Sequence, residues 1–100
     1  MTNLKVERIT GLNKIKGLIN SQSARPVLIR TRFGIHTFGL KFNIDILVLD
    51  NENAVVKLIE GIKPNRIFIW NPFFDKVIEL SAGTIKKNKI KLGTQLVIHE

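Results

Sequence analysis

The chain has 100 residues, 44% of them hydrophobic, and it contains no cysteine. This length predicts one domain over residues 1–100 with a single hydrophobic core. The lack of cysteine excludes disulfides, thiolate zinc sites and cysteine nucleophiles, and it suits a reducing cytoplasm, where we expect the protein. Charged residues interrupt the N-terminal segment, and no later stretch approaches the roughly 18 apolar residues of a membrane-spanning helix. Neither a signal peptide nor a membrane span is therefore predicted.

The formal net charge of +8 is concentrated in the two ends of the chain. Residues 1–41 hold eight lysines and arginines against one acid, and residues 83–100 hold four against one. Residues 42–82 hold four against six acids. Such an excess attracts an anionic ligand, nucleic acid or an acidic protein, although lysines that merely solvate the surface give the same count. The charge thus indicates possible partners, and it leaves the oligomeric state open.

The N-terminal third predicts one strand and one helix. Residues 4–9 (LKVERI) alternate apolar and charged side chains, which is typical of an edge strand. From Leu12 to Ile19 the apolar residues recur with helical spacing, which predicts a short helix over about residues 11–20. Pro26 disfavours any continuation of that helix.

Beyond Pro26, turn-forming residues recur and separate runs of β-forming side chains. The runs are PVLIRTR, DILVLD, AVVKLIE, RIFIW, KVIEL and QLVIH. The second and third runs flank Asp50-Asn51-Glu52-Asn53, so this segment predicts a hairpin. Because both of its strands are apolar on both faces, we place the hairpin at the centre of the sheet.

The segment SAGTIKKNKIKLGTQ predicts a second short helix over about residues 83–89, with Thr84 or Ser81 as its N-cap. Ile85 and Ile90 would face the core. The predicted fold class is α+β and mostly β. We expect a small, partly closed antiparallel or mixed β-barrel or sandwich, with the two short helices packed against it.

The sequence offers few groups for catalysis. His36 and His99 lack a second histidine at metal-site spacing, and neither a metal nor another cofactor is predicted. No serine lies in a nucleophile elbow, and the glycines form no phosphate-binding loop. Asp45 and Glu79 remain an alternative as the acid and base of a hydrolase or isomerase, although acids near strand ends are also common partners of lysine and arginine. The sequence favours a non-enzymatic protein.

A basic and aromatic stretch over residues 30–42 suggests a second alternative, nucleic-acid binding. Cations interleaved with aromatic rings are typical of single-strand binding surfaces. The candidate contacts are Arg30, Arg32, Phe33, Phe38 and Lys41. A structural interpretation also fits, in which the phenylalanines belong to the core and the arginines to its rim. No motif of a nucleic-acid-binding module accompanies the charge.

Three segments carry a family resemblance: GLNKIKGLI, IHTFGLKFNIDILVLDNENAVV and VIELSAGTIKKNKIKLGTQLVI. With them the chain resembles, over about residues 4–98, the bacterial and archaeal family called domain of unknown function 192. The matching positions are Lys14, Lys16, Gly17 and Leu18, then His36, Thr37, Phe38, Gly39, Leu40, Ile44 and Asp45, then Glu79, Leu80, Ser81, Ala82 and Gly83, and last Gly93 and Thr94. Because the matches keep the family's order, the resemblance is specific.

The chain also departs from the family pattern. Lysines stand at both arginine positions of the opening element, Asn43 and Ser81 replace prolines, and Thr94 replaces an aspartate. A second version of the pattern has tryptophan at the position of His36, and an indole cannot perform the proton transfer of an imidazole. The resemblance implies a compact, mainly β domain and no established biochemical activity.

The leading hypothesis is a non-enzymatic binding or accessory domain whose site lies where the 33–45 loop meets the 79–83 loop. The candidate ligand or partner contacts are Arg32, His36, Thr37, Lys41, Asp45 and Glu79. In this hypothesis the two carboxylates order the loop backbones, while the histidine and threonine offer polar contacts. Arg32 and Lys41 supply positive charge to an anionic group.

Overall fold

The computed structural model describes residues 2–9, 26–32 and 34–99. Strands form most of the regular structure of the described chain, and the one helix within these residues is a single turn. In chain order the elements are β1 (Thr2–Lys5), β2 (Glu7–Ile9), β3 (Val27–Arg30), β4 (Ile35–His36), β5 (Ile44–Leu49), β6 (Val55–Ile62), β7 (Ile67–Phe68), β8 (Lys76–Ser81), α1 (Thr84–Lys87) and β9 (Leu96–His99).

A five-stranded mixed sheet in the order β2-β3-β8-β5-β6 forms the centre of the fold. β2 and β3 run parallel, and the other neighbours run antiparallel. β8 lies in the middle because it inserts between β3 and β5. The predicted β5–β6 hairpin is present, but its placement at the centre of the sheet is wrong, since β6 is an edge strand of this sheet. Lys57 and Glu60 on β6 are exposed accordingly.

One face of the central sheet packs against α1, the segment that follows it, and a two-stranded parallel sheet of β1 and β9. We call this the helix side. Alternate residues of the central strands, such as Leu47 on β5 and Leu80 on β8, contribute to this core together with Ile85 of α1. The core also contains Leu4, Val6, Leu28, Leu49, Val55, Ile78, Ile90 and Leu96.

The other face packs against a short two-stranded ribbon of β4 and β7, which we call the ribbon side. Ile46 of β5 and Val77 of β8 meet Phe68 and Trp70 here. Val27, Ile29, Leu40, Ile44 and Val48 complete this second core. Both faces of the central sheet are thus covered, which explains why every residue of β5 is buried.

The sequence predicted most strands and missed some connections. Each predicted β run beyond Pro26 forms a strand. The predicted 83–89 helix is present but shorter, as α1, Thr84–Lys87, and its N-cap is Gly83, so the predicted N-caps Thr84 and Ser81 are wrong. The predicted 4–9 edge strand is instead divided at Val6, so that β1 joins β9 whereas β2 joins the central sheet. The three described sheets do not close into a barrel. The predicted helix over 11–20 lies outside the described residues.

In the described residues, no helix combines the length and the apolar composition that crossing a membrane would require.

Gly34 allows the ribbon to close, and its replacement provides a test of that packing. Its φ is +92°, and a Cβ atom there would lie 2.6 Å from the carbonyl oxygen of Phe68. Gly93 also has a left-handed φ of +85°, but a Cβ atom there would meet nothing within 4 Å. We expect Gly34→Ala to lower the free energy of unfolding by about 2–4 kcal/mol, and Gly93→Ala by about 1 kcal/mol. Equal losses in urea denaturation would contradict this account of the ribbon.

Candidate functional site

The buried carboxylate of Asp45 connects three segments of the chain. It is fully buried on β5. Its Oδ1 accepts a hydrogen bond from the amide of Gly61 at 2.9 Å, and its Oδ2 accepts from Gly83 at 3.1 Å and Ile85 at 3.0 Å. The last two amides stand at the start of α1, where no preceding turn can accept them. Asp45, which belongs to β5, therefore caps the N-terminus of α1.

The pairing of β5 with β6 is irregular at Asp45. Ile44 pairs with Ile62 and Ile46 pairs with Ile59, so two residues of β6 stand opposite Asp45 alone. Such a bulge leaves an amide out of the regular pairing. The Asp45 carboxylate accepts that amide from Gly61, whose φ is +64°.

Asp45 and Glu79 point to opposite faces of the central sheet. Asp45 pairs with Leu80, and Glu79 pairs with Ile46 and with Val27. Directly paired residues of antiparallel strands share a face. Asp45 thus faces the helix side with Leu80, and Glu79 faces the ribbon side with Ile46 and Val27. The predicted acid and base pair of a hydrolase or isomerase is therefore not formed.

Thr37 is buried on the ribbon side and connects β4 to the 63–66 turn by hydrogen bonds. Its hydroxyl donates to the carbonyl oxygen of Lys63 at 2.8 Å and accepts from the amide of Arg66 at 2.8 Å. Its own amide donates to the carbonyl oxygen of Arg66 at 2.9 Å. Because Thr37 has no exposed surface, it positions the neighbouring turns and offers nothing to a ligand.

His36 lies at the surface, next to a group of exposed apolar side chains. Its ring stacks on Phe38 with centroids 5.0 Å apart, and its Nδ1 accepts the amide of Phe38 at 3.3 Å. Across the ribbon it pairs with Ile67. Ile67 and Ile69 are 70% and 66% exposed, and Phe38 is 46% exposed. We call this outward surface of His36, Phe38, Ile67 and Ile69 the ribbon face.

The two arginines of the 30–42 stretch are already engaged within the fold. Arg30 donates from Nε and Nη2 to one carboxylate oxygen of Asp75, at 3.1 and 2.9 Å. Arg32 donates to the carbonyl oxygens of Pro72 and Phe73, and it lies 3.8 Å from Asp75. These contacts fix the 72–75 turn beside the ribbon. Both side chains remain substantially exposed.

The remaining candidates are dispersed. Lys41 is exposed in the turn before β5, Glu79 is buried on the ribbon side, and Phe33 lies outside the described residues. The 33–45 and 79–83 loops do reach the same end of the central sheet, since Ile44 pairs with Ser81. His99 belongs to β9 on the helix side, where its Nε2 lies 3.2 Å from Oδ1 of Asn3.

Sequence reasoning missed the isoleucines of the ribbon face. The run RIFIW places residues 67 and 69 on one face and residues 68 and 70 on the other by strand alternation. All four are apolar, so the alternation alone does not tell which pair is exposed. The contacts of Phe68 and Trp70 with the central sheet turn Ile67 and Ile69 outward.

The fold and these buried junctions define a small, mostly β domain, and proteins of known structure share this fold. A protein from Sinorhizobium meliloti 1021, described as a "putative transcription regulator", has a similar structure with a TM-score of 0.74 and 17% identity. The match covers 90% of this chain and 78% of that one. A protein of unknown function from Novosphingobium aromaticivorans DSM 12444 gives a TM-score of 0.76 at 15% identity, with coverages of 90% and 70%. At these identities the likeness shows the fold alone.

The sequence itself matches the family model of domain of unknown function 192 (DUF192), described as "Uncharacterized ACR", over residues 3–98. The chain belongs to this family, and the resemblance deduced from its motifs is confirmed. No curated protein gave a significant match.

Removal of the Asp45 carboxylate should destabilise the fold strongly. In Asp45→Ala the amides of Gly61, Gly83 and Ile85 lose their acceptor, and each unsatisfied buried donor costs about 1–3 kcal/mol. We expect a loss of about 3 kcal/mol or more in the free energy of unfolding, measured with urea. Asp50→Asn is the matched control, because an amide oxygen can still accept the two turn amides that Asp50 Oδ1 accepts. A similar loss in both variants would contradict the role assigned to Asp45.

The Arg30–Asp75 pair predicts a pH dependence. Burial opposes the ionised form of Asp75, but the hydrogen bond and charge of Arg30 and the charge of Arg32 prevail and lower its pKa below the ordinary 3.8. The pair therefore contributes its full stability above pH 3.8, and this contribution is lost as the pH falls through the lowered pKa. Arg30→Gln should raise the carboxyl titration midpoint of Asp75 in an NMR pH titration. An unchanged titration midpoint would show that Arg30 does not stabilise the ionised form of Asp75.

Proposed function

We propose that the protein is a non-enzymatic binding domain whose ribbon face docks an acidic, partly apolar segment of another protein. The observation that carries this proposal is the exposure of Ile67 and Ile69, at 70% and 66%, beside the stacked rings of His36 and Phe38. Isolated exposed apolar residues are common, whereas a contiguous group of them on one ribbon is typical of an interaction surface.

The charge around the ribbon face supports an acidic partner. Residues 30–43 and 63–76, which form the ribbon and its flanking turns, contain six lysines and arginines and only one acid. That acid, Asp75, is bound by Arg30. Lys41 and Arg66 are exposed and engage no carboxylate within the described residues. Complementary charge at the rim of an apolar patch accelerates association and selects the partner.

The ribbon face is held in shape by the structure beneath it. Thr37 joins β4 to the 63–66 turn through its hydroxyl and its amide. Trp70 Nε1 donates to the carbonyl oxygen of Phe74 at 2.7 Å and fixes the segment that follows β7. A surface that is already ordered loses little conformational entropy when a partner binds.

The hydrogen bonds that the polar residues make within the fold favour a binding function over a catalytic one. The carboxylate of Asp45 and the hydroxyl of Thr37 are hydrogen-bonded to backbone groups and have no exposed surface. His36 is exposed, but its Nδ1 is bonded to the adjacent amide of Phe38. The groups that a reaction would need are thus engaged in maintaining the fold.

A second candidate is single-stranded nucleic acid bound on the same face. The stack of His36 and Phe38, with Arg32 and Lys41 nearby in sequence, has the composition of a base-stacking platform. The description of the Sinorhizobium meliloti protein as a "putative transcription regulator" agrees with this candidate. The exposed isoleucines favour a protein partner, because aliphatic side chains do not provide the stacking that bases require.

The two candidates can be separated with defined probes. We expect a short fluorescein-labelled peptide of alternating glutamate and leucine to bind in fluorescence anisotropy at low salt. Replacing both Ile67 and Ile69 with serine should raise its Kd roughly thirtyfold, because each side chain contributes about 1 kcal/mol when buried. Leu92→Ser is the matched control, since Leu92 is 67% exposed on the helix side of the fold.

The alternative outcomes are distinct. Binding of labelled oligothymidylate that decreases steeply with salt, depends on Phe38 and tolerates both serine replacements would favour nucleic acid instead. Failure to bind the peptide, or equal weakening by Leu92→Ser, would contradict the proposed protein partner.

A further inference from the structure

The helix side of the fold contains a lysine-lined cavity that lies on the opposite side of the central sheet from the ribbon face. This cavity is a wide, open depression of the surface, with a volume of about 530 Å³. The lining residues are Glu60, Ile85, Lys86, Lys89, Ile90 and Lys91. Ile85 and Ile90 belong to the core of the helix side and are 2% and 5% exposed, so the cationic rim lies over apolar side chains that present little open surface.

The three ammonium groups are available to a ligand. Lys86, Lys89 and Lys91 are exposed, and their side chains form neither a hydrogen bond nor an ion pair with any described residue. Glu60 is the one acid among the lining residues. The lining therefore carries a net charge of +2, which favours a ligand with at least two negative charges over a singly charged ion.

Lys89 adopts a conformation that a lysine disfavours. Its φ is +56°, in the left-handed region. The amide of Lys89 donates to the carbonyl oxygen of Lys86, and the amide of Ile90 donates to that of Ile85. This is the hydrogen-bond pattern of a Schellman motif, in which glycine is the usual residue at the position of Lys89. A lysine at this position lowers stability relative to glycine, and strained residues of this kind cluster at functional sites.

Asp45 lies beneath the cavity and holds its two sides together through hydrogen bonds. One of its carboxylate oxygens accepts the amide of Gly61, adjacent to Glu60. The other accepts the amide of Ile85, adjacent to Lys86. A single buried carboxylate thus sets the distance between β6 and α1, the two sides of the cavity. Asp45 is in this sense a positioning residue and does not touch the ligand.

We infer that this cavity binds a diphosphate group, with Lys86, Lys89 and Lys91 as its cationic contacts. A compact ammonium group is a common phosphate ligand, and a diphosphate carries the multiple charge that the lining favours. The group can come from a free inorganic diphosphate or from a nucleoside diphosphate. This inference does not depend on the function of the ribbon face.

The test uses inorganic pyrophosphate and adenosine diphosphate as separate probes of the full chain. Titration of ¹⁵N-labelled protein should shift the amide resonances of residues 84–91 and of Glu60, with a Kd obtained from the same data. Tighter binding of adenosine diphosphate identifies a nucleotide as the source, and equal or tighter binding of pyrophosphate identifies the free anion. Either result supports the diphosphate site.

Charge variants give the specific test. Replacing Lys86, Lys89 and Lys91 together with glutamine should raise the Kd at least about tenfold, the loss of one charge-assisted hydrogen bond or more. The matched control replaces Lys5, Lys57 and Lys63, which are exposed elsewhere, with the same change in net charge. Glu60→Gln should lower the Kd roughly twofold, because it removes the repulsive carboxylate.

Lys89→Gly separates binding from stability. Glycine relieves the left-handed strain, so the melting temperature should rise by roughly 4 °C, while the Kd for pyrophosphate rises because an ammonium group is lost. A variant that is more stable and binds less cannot be explained by unfolding.

Three results would overturn the inference. The first is the absence of resonance shifts at residues 84–91 with millimolar pyrophosphate or adenosine diphosphate. The second is equal weakening by the cavity variant and by its charge-matched control, which would indicate only general attraction to a basic protein. The third is unchanged affinity in Lys89→Gly.

Discussion

The structure depends on one buried carboxylate. Taking an ionised carboxylate out of water is costly unless hydrogen bonds replace its hydration, and Asp45 receives such bonds from the amides of Gly61, Gly83 and Ile85. The dependence is mutual, because these amides belong to a strand bulge and to the first turn of α1, where the regular backbone pattern provides no acceptor. A four-residue helix has little stability of its own. The packing of Ile85 into the core and the cap from Asp45 together keep α1 in place.

Many of the residues that carry the family resemblance make structural contacts of this kind. Thr37 joins β4 to the 63–66 turn, and Asp45 caps α1. Gly83 adopts the left-handed conformation at the start of the helix. Thr94 accepts the amide of Lys91 at 2.9 Å, a contact that the aspartate of the family pattern can also make. His36 differs from these residues, since it is exposed and stacks on Phe38. A flat ring suffices for stacking, which explains how tryptophan can occupy this position in the other version of the pattern.

Strand runs were predictable from sequence because the period-2 pattern and the turn residues are local signals. The pairing of strands that are distant in sequence was not predictable, because it depends on contacts that no local pattern encodes. β5 is apolar on both faces, as the sequence indicated, but the order β3-β8-β5 follows from contacts made later in the chain. The same limit applied to the site. Whether Asp45 and Glu79 share a cleft depends on the register of β5 with β8, and moving that register by one residue would reverse the answer. The role of Asp45 as a cap was likewise visible only once Gly83 and Ile85 lay beside it.

The buried polar groups hold the backbone and the exposed side chains do not, which has a consequence for the family. The residues that identify its members by sequence are mostly those that hold the backbone, so they predict the shared fold and carry little information about a ligand. Proteins with 15–17% identity to this chain keep the fold, whereas exposed side chains such as Ile67 and Lys89 are under no comparable constraint from packing. In this chain the two surfaces proposed for binding are the ribbon face and the lysine-lined cavity. These are two surfaces on opposite sides of one sheet, and each can change without disturbing the buried junctions beneath it.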